Sequence, residues 1–320
     1  MLDTLPLTDK MKRLTGFILF SYFILLQGTV KAQQDAMYTQ YMFNTLAINP
    51  AYAGSRNVLS ATALFRNQWT GIDGAPKTGT FSMDAPILDN KIGLGLQLFT
   101  DKLGITQTNG AVVSAAYRIR LETGTLSFGI QGNFSQFRAN FTEVSLGSTQ
   151  GYDPAFADNV KKFLFNVGTG VYYNSDNFYI GLSAMDLMPN NLTKYTTNDV
   201  VAGSKQALHV FFSSGVVLPL DDDFKIKPSV LVKGVKGAPL EADLNAALWI
   251  KDVFSIGAQY RTSADIGAMI EIQATPQIRL GYAYDRSTTA LKSFNSGSHE
   301  IMLRYEFGTK RGKTLSPRYF

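Results

Sequence analysis

The sequence is poor in the residues from which most metal and covalent sites are built. It has no cysteine, two histidines and two tryptophans among 320 residues. Without cysteine an exported chain has no disulfide scaffold, so its fold must depend on backbone pairing and packing. His209 and His299 lie far apart, and neither belongs to a zinc-type or metalloprotease spacing. We therefore expect no metal, no cofactor and no enzymatic activity.

Long hydrophobic runs are also scarce. The mean hydropathy is −0.02, and the one apolar run that suggests a helix at a membrane is Leu14–Leu26. It follows Lys10, Lys12 and Arg13 and precedes a small-residue site that ends at Ala32. This order is typical of a secretory signal peptide, with a short membrane anchor as the alternative. We expect residues 1–32 to be removed near Ala32 and the mature chain to be exported.

Charge of one sign is limited as well. The formal net charge is +5. The signal region carries part of this excess, and what remains on the mature chain is too small to predict a nucleic-acid partner.

The mature chain is rich in segments where apolar and small or polar residues alternate. In the clearest one, Ile92, Leu94, Leu96 and Leu98 share one face, and glycine and glutamine occupy the other. This alternation over about ten residues is typical of a strand in a membrane β-barrel. Fourteen such strands are predicted, near 57–69, 77–85, 91–100, 106–119, 124–134, 162–173, 177–185, 207–218, 224–233, 240–250, 253–261, 263–272, 277–285 and 298–307.

The connections between these segments alternate in length. Those after the even-numbered strands are tight, whereas residues 135–161, 186–206 and 286–297 form long connections after odd-numbered strands. Outer-membrane barrels combine short periplasmic turns with longer extracellular loops in this way. We predict an all-β transmembrane antiparallel barrel over 57–307 in the outer membrane, in contact with its lipid; a soluble β-sandwich is the alternative. Only Thr262 separates the eleventh and twelfth strands. At this point the sequence determines neither the strand boundary nor the number of strands.

The opposite face of the strands carries charge of both signs in equal number. We expect these side chains to face the lumen, with Lys233 beside Asp243 and Arg279 beside Glu300 as cross-strand pairs. A lumen filled by mutual ion pairs and a weakly selective pore are both compatible with this balance. The charged set comprises Arg66, Arg118, Lys225, Lys227, Lys233, Arg261, Arg279, Arg304, Asp84, Glu241, Asp243, Asp265, Glu271, Asp285, Glu300 and Glu306.

Residues 33–56 do not alternate like a strand. Aromatic and amide residues dominate, and Asn49-Pro50 and Ala53-Gly54 favour turns. The segment is too short for a domain and too apolar for a free tail. We predict that it packs at the periplasmic mouth or inside the lumen. The candidate plug residues are Tyr38, Gln40, Tyr41, Asn44, Asn49 and Tyr52.

Here the chain resembles the PorP/SprF family of type IX secretion outer-membrane proteins, over nearly the whole mature chain. The resemblance is carried by Tyr38–Asn44, Ile48–Ser55, Phe65–Trp69 and the ending Ser316–Phe320. It implies a role in secretion and gliding machinery, as a barrel that receives or anchors a large secreted adhesin through its C-terminal sorting domain. It also implies periplasmic lipoproteins of the secretion apparatus or a peptidoglycan-binding protein as partners. A transport channel for small solutes and a structural barrel that ties envelope layers together are the alternative functions.

The long loops offer aromatic and methionine side chains of the kind that anchor protein interfaces. We predict that they contact the partner outside the cell; the alternative is that they fold inward as a lid. The candidate contact residues are Trp69, Phe137, Phe141, Tyr152, Phe156, Leu187, Met188, Leu192 and Tyr195. Residues 308–320 form a basic tail, predicted to meet an acidic periplasmic partner or to be disordered.

Overall fold

The computed structural model describes residues 39–143, 158–192, 195–197, 200–202 and 205–308. The predicted signal peptide 1–32, its cleavage site near Ala32, residues 33–38 and the tail beyond Gly308 lie outside the described residues.

The described strands form one closed antiparallel barrel of fourteen strands. Each strand pairs with the next, and β14 returns to β1 with Leu64 opposite Met302, so the all-β barrel predicted from alternation is confirmed. A two-residue piece, Leu218–Pro219, continues β8 along β9, and a small hairpin of Tyr195–Thr197 and Val200–Ala202 lies in the β7–β8 connection. The strands are β1 Ser60–Asn67, β2 Lys77–Ile87, β3 Ile92–Leu103, β4 Thr106–Arg120, β5 Thr125–Ala139, β6 Val160–Asn174, β7 Phe178–Met185, β8 His209–Val216, β9 Phe224–Val235, β10 Glu241–Ile250, β11 Phe254–Arg261, β12 Asp265–Gln273, β13 Ile278–Ser287 and β14 Ser298–Glu306.

The doubtful connection after the eleventh strand is a tight hairpin. Arg261 lies opposite Asp265, and Ser263 between them has a φ of 57°. The left-handed conformation lets the chain reverse within three residues, so the count of fourteen was right and the predicted start of the twelfth strand at 263 was wrong. Gly104 makes a similar short connection between β3 and β4. We call this end of the barrel the loop rim and the opposite end, where β1 begins and β14 ends, the short-turn rim.

Burial alternates along the strands as the sequence pattern predicts. Leu94, Leu96 and Leu98 are exposed on the outer surface, while Gly93 and Gly95 are buried. The outward residues of the other strands continue this apolar surface, with Phe128, Ile130, Ile256 and Leu280 among them. Apolar side chains on the outside are stable only against lipid.

Among the residues that the structure describes, no helix is long and apolar enough to cross a bilayer.

The predicted charged set does face inward, but the pairing differs from expectation. Lys233 lies opposite Glu241 rather than Asp243, and the carboxylate of Asp243 instead binds Arg261, with Nε–Oδ1 at 2.7 Å. Since the strands are staggered, the residue directly across the ladder cannot be read from alternation alone.

The second expected pair, Arg279 with Glu300, is wrong. Glu300 is bound by Arg66, with Nη1 3.2 Å from Oε2. Arg279 lies opposite Arg304 in the ladder and has its nearest carboxylate 4.0 Å away in Glu271.

A charge on the outer belt tests which surface faces lipid. Leu96→Arg, in the middle of β3, should lower the free energy of unfolding by about 2–4 kcal/mol, because the guanidinium would enter hydrocarbon. The matched change Leu121→Arg, in an exposed turn at the short-turn rim, should cost about 0–1 kcal/mol because the side chain reaches water. Urea unfolding in lipid vesicles measures both. Equal losses would contradict the assignment of the belt.

Candidate functional site

Residues 39–56, here called the lumen segment, lie inside the barrel. The segment contains three short 3-10 turns, at Tyr41–Phe43, Thr45–Ala47 and Pro50–Tyr52. The third turn begins at Asn49, whose Oδ1 accepts a hydrogen bond from the amide of Ala51 at 2.9 Å. An asparagine cap followed by proline at the first turn position favours this local fold. The described side chains of the segment are buried except Ala47, which is half-buried.

The beginning of the lumen segment is bound near the loop rim. The amides of Thr39 and Gln40 donate to the carboxylate of Glu300 at 2.9 and 2.7 Å. The hydroxyl of Thr39 donates to Asp285, and Arg66 Nη1 bridges the two carboxylates, 2.7 Å from Asp285 and 3.2 Å from Glu300. Buried charges are tolerated where ion pairs and amides satisfy them together. This cluster therefore attaches the segment to β1, β13 and β14.

The end of the lumen segment is bound at the short-turn rim. The amide of Gly54 donates to Asp84 at 2.9 Å, and Arg56 Nη2 lies 2.5 Å from Glu306 Oε1. Burial acts to lower the pKa of Arg56, but the interactions with Glu306 and Tyr52 together outweigh burial, so the pKa lies above the ordinary guanidinium value. Arg56 is thus held as a cation, and its ion pair with Glu306 joins the lumen segment to β14. The lumen segment therefore extends from near one rim to the other.

Glycines on the barrel wall make room for the middle of the segment. A methyl group at Gly129 would overlap the backbone of Pro50 and Ala51, and one at Gly170 would overlap the side chain of Asn49. Asn49 Nδ2 in turn donates to the carbonyl of Val171 at 3.0 Å. These contacts explain why β5 and β6 carry glycine on an inward face, where a side chain would exclude the segment.

The candidate plug residues within the described part of the chain are all buried in the lumen. Tyr41 accepts a hydrogen bond from Asn245 at 3.1 Å, and Asn44 accepts one from Ser82 at 2.9 Å. Tyr52 packs edge-on against Tyr172, with ring centroids 5.5 Å apart. Tyr38 lies outside the described residues.

Sequence reasoning missed the residues that attach the segment to the wall. The sequence pattern does not single out Arg56 as the partner of Glu306, nor Asp84 and Glu300 as acceptors for backbone amides of the lumen segment. Alternation along the strands places the acidic residues on the inner face of the barrel. It does not identify the groups that they bind.

A cavity of about 350 Å³ remains above the lumen segment. Its floor is formed by Tyr41, Ala47 and Ile48, and Phe99 and Phe137 belong to its wall. The lining residues come from the loop-rim halves of the strands and from the β7–β8 connection. We call this cavity the vestibule. It combines aromatic surface with polar groups and lies on the side opposite the Arg66 cluster.

The candidate contact residues fall into different places. Phe137 belongs to β5 and lines the vestibule, as does Leu192 from the β7–β8 connection. Leu187 and Met188 are exposed, and Trp69 and Phe141 are half-buried. Tyr152 and Phe156 lie outside the described residues, and of Tyr195 only the strand position is described. The vestibule therefore gathers only part of the predicted set.

In the described part of the chain, no group of three or more His, Cys, Asp or Glu residues is arranged to hold a metal ion.

Comparison with known families identifies the barrel. The family described as type IX secretion system membrane protein PorP/SprF matches residues 30–305. The chain belongs to the PorP/SprF family. The family match and the lipid-facing belt make it an outer-membrane β-barrel associated with type IX secretion, in a family that is not one of enzymes.

Solved structures similar to this PorP/SprF barrel include Omp33 of Acinetobacter baumannii, with a TM-score of 0.45 and 10% identity over 78% of this chain and 98% of that one. The KdgM porin has a TM-score of 0.39 and 10% identity over 78% and 99% of the two chains. The translocator domain of the autotransporter NalP from Neisseria meningitidis has a TM-score of 0.39 and 12% identity over 92% and 96%. No curated protein matches the chain.

The fit of the lumen segment against glycine can be tested on one strand. Gly129→Ala should destabilise the PorP/SprF barrel by about 1–3 kcal/mol, because the added methyl group overlaps the backbone of the segment. Gly132→Ala is the matched control, since its methyl group would meet only ordinary contacts at 3.5 Å and beyond. The midpoint of urea unfolding in detergent measures the difference. Equal midpoints would mean that the segment does not pack on β5.

The ion pair at the short-turn rim should respond to removal of one partner. Arg56→Ala should lower the free energy of unfolding by about 3–5 kcal/mol, because it removes the guanidinium that lies 2.5 Å from the buried carboxylate of Glu306. Adding Glu306→Gln should recover part of that loss in a double-mutant cycle.

The control for this pair is the exposed one between Lys251 and Asp223, which lie 3.8 Å apart. Lys251→Ala should change the free energy of unfolding by about 0–1 kcal/mol, because water screens that pair. A double mutant no more stable than Arg56→Ala would show that Glu306 is satisfied by other groups.

Proposed function

We propose that this barrel receives and anchors a large secreted surface protein of the adhesin type through its C-terminal sorting domain. In this role it supports secretion and gliding motility. The observation that carries the proposal is the division of the barrel interior. The lumen segment occupies it from near one rim to the other, and an aromatic vestibule is left at the loop rim. Such an interior suits a docking barrel and is poorly suited to a diffusion channel.

The bonds of the lumen segment favour a docking role over solute transport. Carboxylates bind the segment at both ends, through Glu300 at the loop rim and through Asp84 and Glu306 at the short-turn rim. Opening a solute path would leave these charges buried without their partners, which is costly. A small-solute channel would therefore need to break several satisfied buried contacts at once.

The vestibule has the chemistry of a protein-binding surface. Phe99, Phe137 and Phe211 give it aromatic anchors, and Gln206 and His209 add hydrogen-bonding groups. Aromatic side chains beside polar groups are typical of interface centres. The vestibule faces the loop rim, which in outer-membrane barrels is the extracellular side. We assign the sorting domain to this side.

The opposite rim suits the machinery in the periplasm. β14 ends there, and Lys310, Arg311 and Lys313 follow it in the sequence. We assign contact with periplasmic lipoproteins of the secretion system, or with a peptidoglycan-binding partner, to this rim. The basic residues that follow β14 in the sequence would favour an acidic partner surface.

Affinity purification of the tagged barrel from detergent-solubilised outer membranes tests the docking role. A large surface protein that carries a C-terminal sorting domain should co-purify in stoichiometric amount. Phe137→Ser should reduce its recovery about tenfold, because it removes an aromatic anchor of the vestibule. Phe294→Ser is the matched control, an exposed phenylalanine on the same rim but in the β13–β14 connection, and should leave recovery unchanged.

Mass spectrometry and planar-bilayer conductance separate the outcomes. A barrel that is recovered alone and conducts ions in an ohmic manner would overturn the docking role in favour of a solute channel. Equal recovery of the surface protein with both serine variants would show that it contacts the barrel outside the vestibule.

A further inference from the structure

The pairing of β6 with β7 stops halfway along β6. With β5, β6 is paired over its whole length, from Val160 opposite Ala139 to Asn174 opposite Thr125. With β7 it is paired only from Thr169 to Asn174. The part of β6 toward the loop rim, residues 160–168, therefore has a ladder partner on one side alone among the described residues. We call the other side of this stretch the β6 edge.

The local sequence after β7 explains why the ladder ends. Asp186 has a φ of 57°, which turns the chain out of the extended conformation. Pro189 follows and has no amide hydrogen to donate to a neighbouring strand. The chain therefore leaves the sheet at Asp186, although β6 continues.

Irregular contacts replace the missing ladder. Asn166 and Met188 form a reciprocal pair, in which Asn166 Nδ2 donates to the Met188 carbonyl and Oδ1 accepts from the Met188 amide, both at 2.9 Å. Asn190 Nδ2 donates to the carbonyl of Phe165 at 2.9 Å. The amide of Leu187 donates to the carbonyl of Val167 at 3.1 Å. Side-chain amides thus cap a strand edge where backbone groups would otherwise pair.

Beyond these caps, the described residues after β7 supply no further hydrogen bond to the backbone of the β6 edge. Alternate residues direct their backbone groups to the same edge, so those of Phe163 point the same way as those of Phe165 and Val167. Among the described residues, no hydrogen bond from the chain beyond β7 reaches the amide or carbonyl of Phe163. Its side chain is 80% exposed, and Phe165 packs with Phe134 at 4.9 Å on the outer surface. An edge of this kind is a template for another strand.

The β6 edge is also connected to the vestibule. Gln206 accepts hydrogen bonds from Asn166 and Asn190 at 2.9 and 3.0 Å and donates to Asp186 at 2.8 Å. Gln206, Asp186 and the neighbouring Leu164 all line the vestibule. A polypeptide seated in the vestibule would therefore contact the groups that cap the edge.

We propose that a β-strand of the secreted partner adds to the β6 edge and displaces residues 187–190. The proposal rests on the docking role argued above and names where and how the partner is held. The added strand is extended, with apolar side chains at alternate positions to continue the outer face of Phe163 and Phe165. It carries a carboxylate near Lys161, which is exposed close to the loop-rim end of the edge. Backbone pairing supplies the attachment, and Lys161 sets its direction.

Engineered disulfides give a direct test because the chain has no cysteine. Val167→Cys with Leu187→Cys would lock the segment onto the edge, since their backbones are already hydrogen-bonded. Thr169→Cys with Ala184→Cys is the matched control, because these residues face each other in the β6–β7 ladder. The ligand is the purified sorting domain of the protein that co-purifies with the unmodified barrel. Retention on immobilised barrel should fall at least tenfold with the edge lock and return on reduction, while the control lock retains the domain.

The outcomes distinguish the edge from the docking role. Equal retention by both locked barrels and the unmodified barrel would overturn strand addition and leave the docking role standing. A sorting domain that binds none of the three would overturn both. Single-cysteine variants Val167→Cys and Leu187→Cys must retain binding, since the proposal attributes the loss to the lock; loss in these variants would contradict it.

A photo-crosslinking amino acid provides a second measurement that needs no disulfide. Placed at position 163, it should crosslink to the sorting domain in living cells. Placed at position 81, where Phe81 is exposed on a fully paired strand, it should not. Crosslinking of the sorting domain from position 81 and not from 163 would contradict the proposal.

Discussion

Every backbone amide and carbonyl in the apolar layer of a membrane needs a partner within the protein, because lipid offers none. This constraint requires the chain to close on itself, and the ladder between β1 and β14 meets it at the point where the two ends of the barrel come together. Closure then fixes the remaining geometry. Outward residues must be apolar, inward residues are free to be polar, and the connections alone carry irregular backbone. The long β3–β6 wall and the short strands opposite are both built under this rule.

Closure of the barrel also encloses charged side chains, and the lumen segment supplies partners for some of them. The inward face of the strands carries many charged side chains, and charges taken from water are stable only when paired and hydrogen-bonded. Some pair across the wall, as Arg261 does with Asp243. Others are satisfied by the segment, whose amides at Thr39 and Gln40 bind Glu300. Segment and wall thus complete each other, and the same contacts that stabilise the fold keep the interior occupied.

At the β6 edge, some backbone groups find their partners in side chains and not in a neighbouring strand. Asn166 and Asn190 supply side-chain amides where a ladder would supply backbone groups. Such caps satisfy a strand edge without covering it as another strand would. The β6 edge lies beside the vestibule, since Asp186, Gln206 and Leu164 line that cavity. In the role proposed above, the partner protein is held at the loop rim.

The fold of this protein could be predicted from the alternation of apolar with small or polar residues along its sequence. Alternation over segments such as Ile92–Leu98 identifies a strand with one face toward lipid and one toward the lumen, and this depends only on the pleat of a β-strand. The even count of strands and the inward register of the charges follow from the same period. Residues 33–56 stand out in the sequence because their composition fits neither a strand nor a free tail.

Only the tertiary structure decided which groups meet. Lys233 was expected beside Asp243, yet strand stagger places it opposite Glu241. Arg56 is linked to Glu306 across 250 residues of chain, and the end of the β6–β7 ladder depends on the conformation of Asp186. Period-two alternation determined the face of each side chain, because that is a local property of an extended backbone. Stagger, closure and the path of the lumen segment determined the partners, because those arise only when distant parts of the chain share one interior.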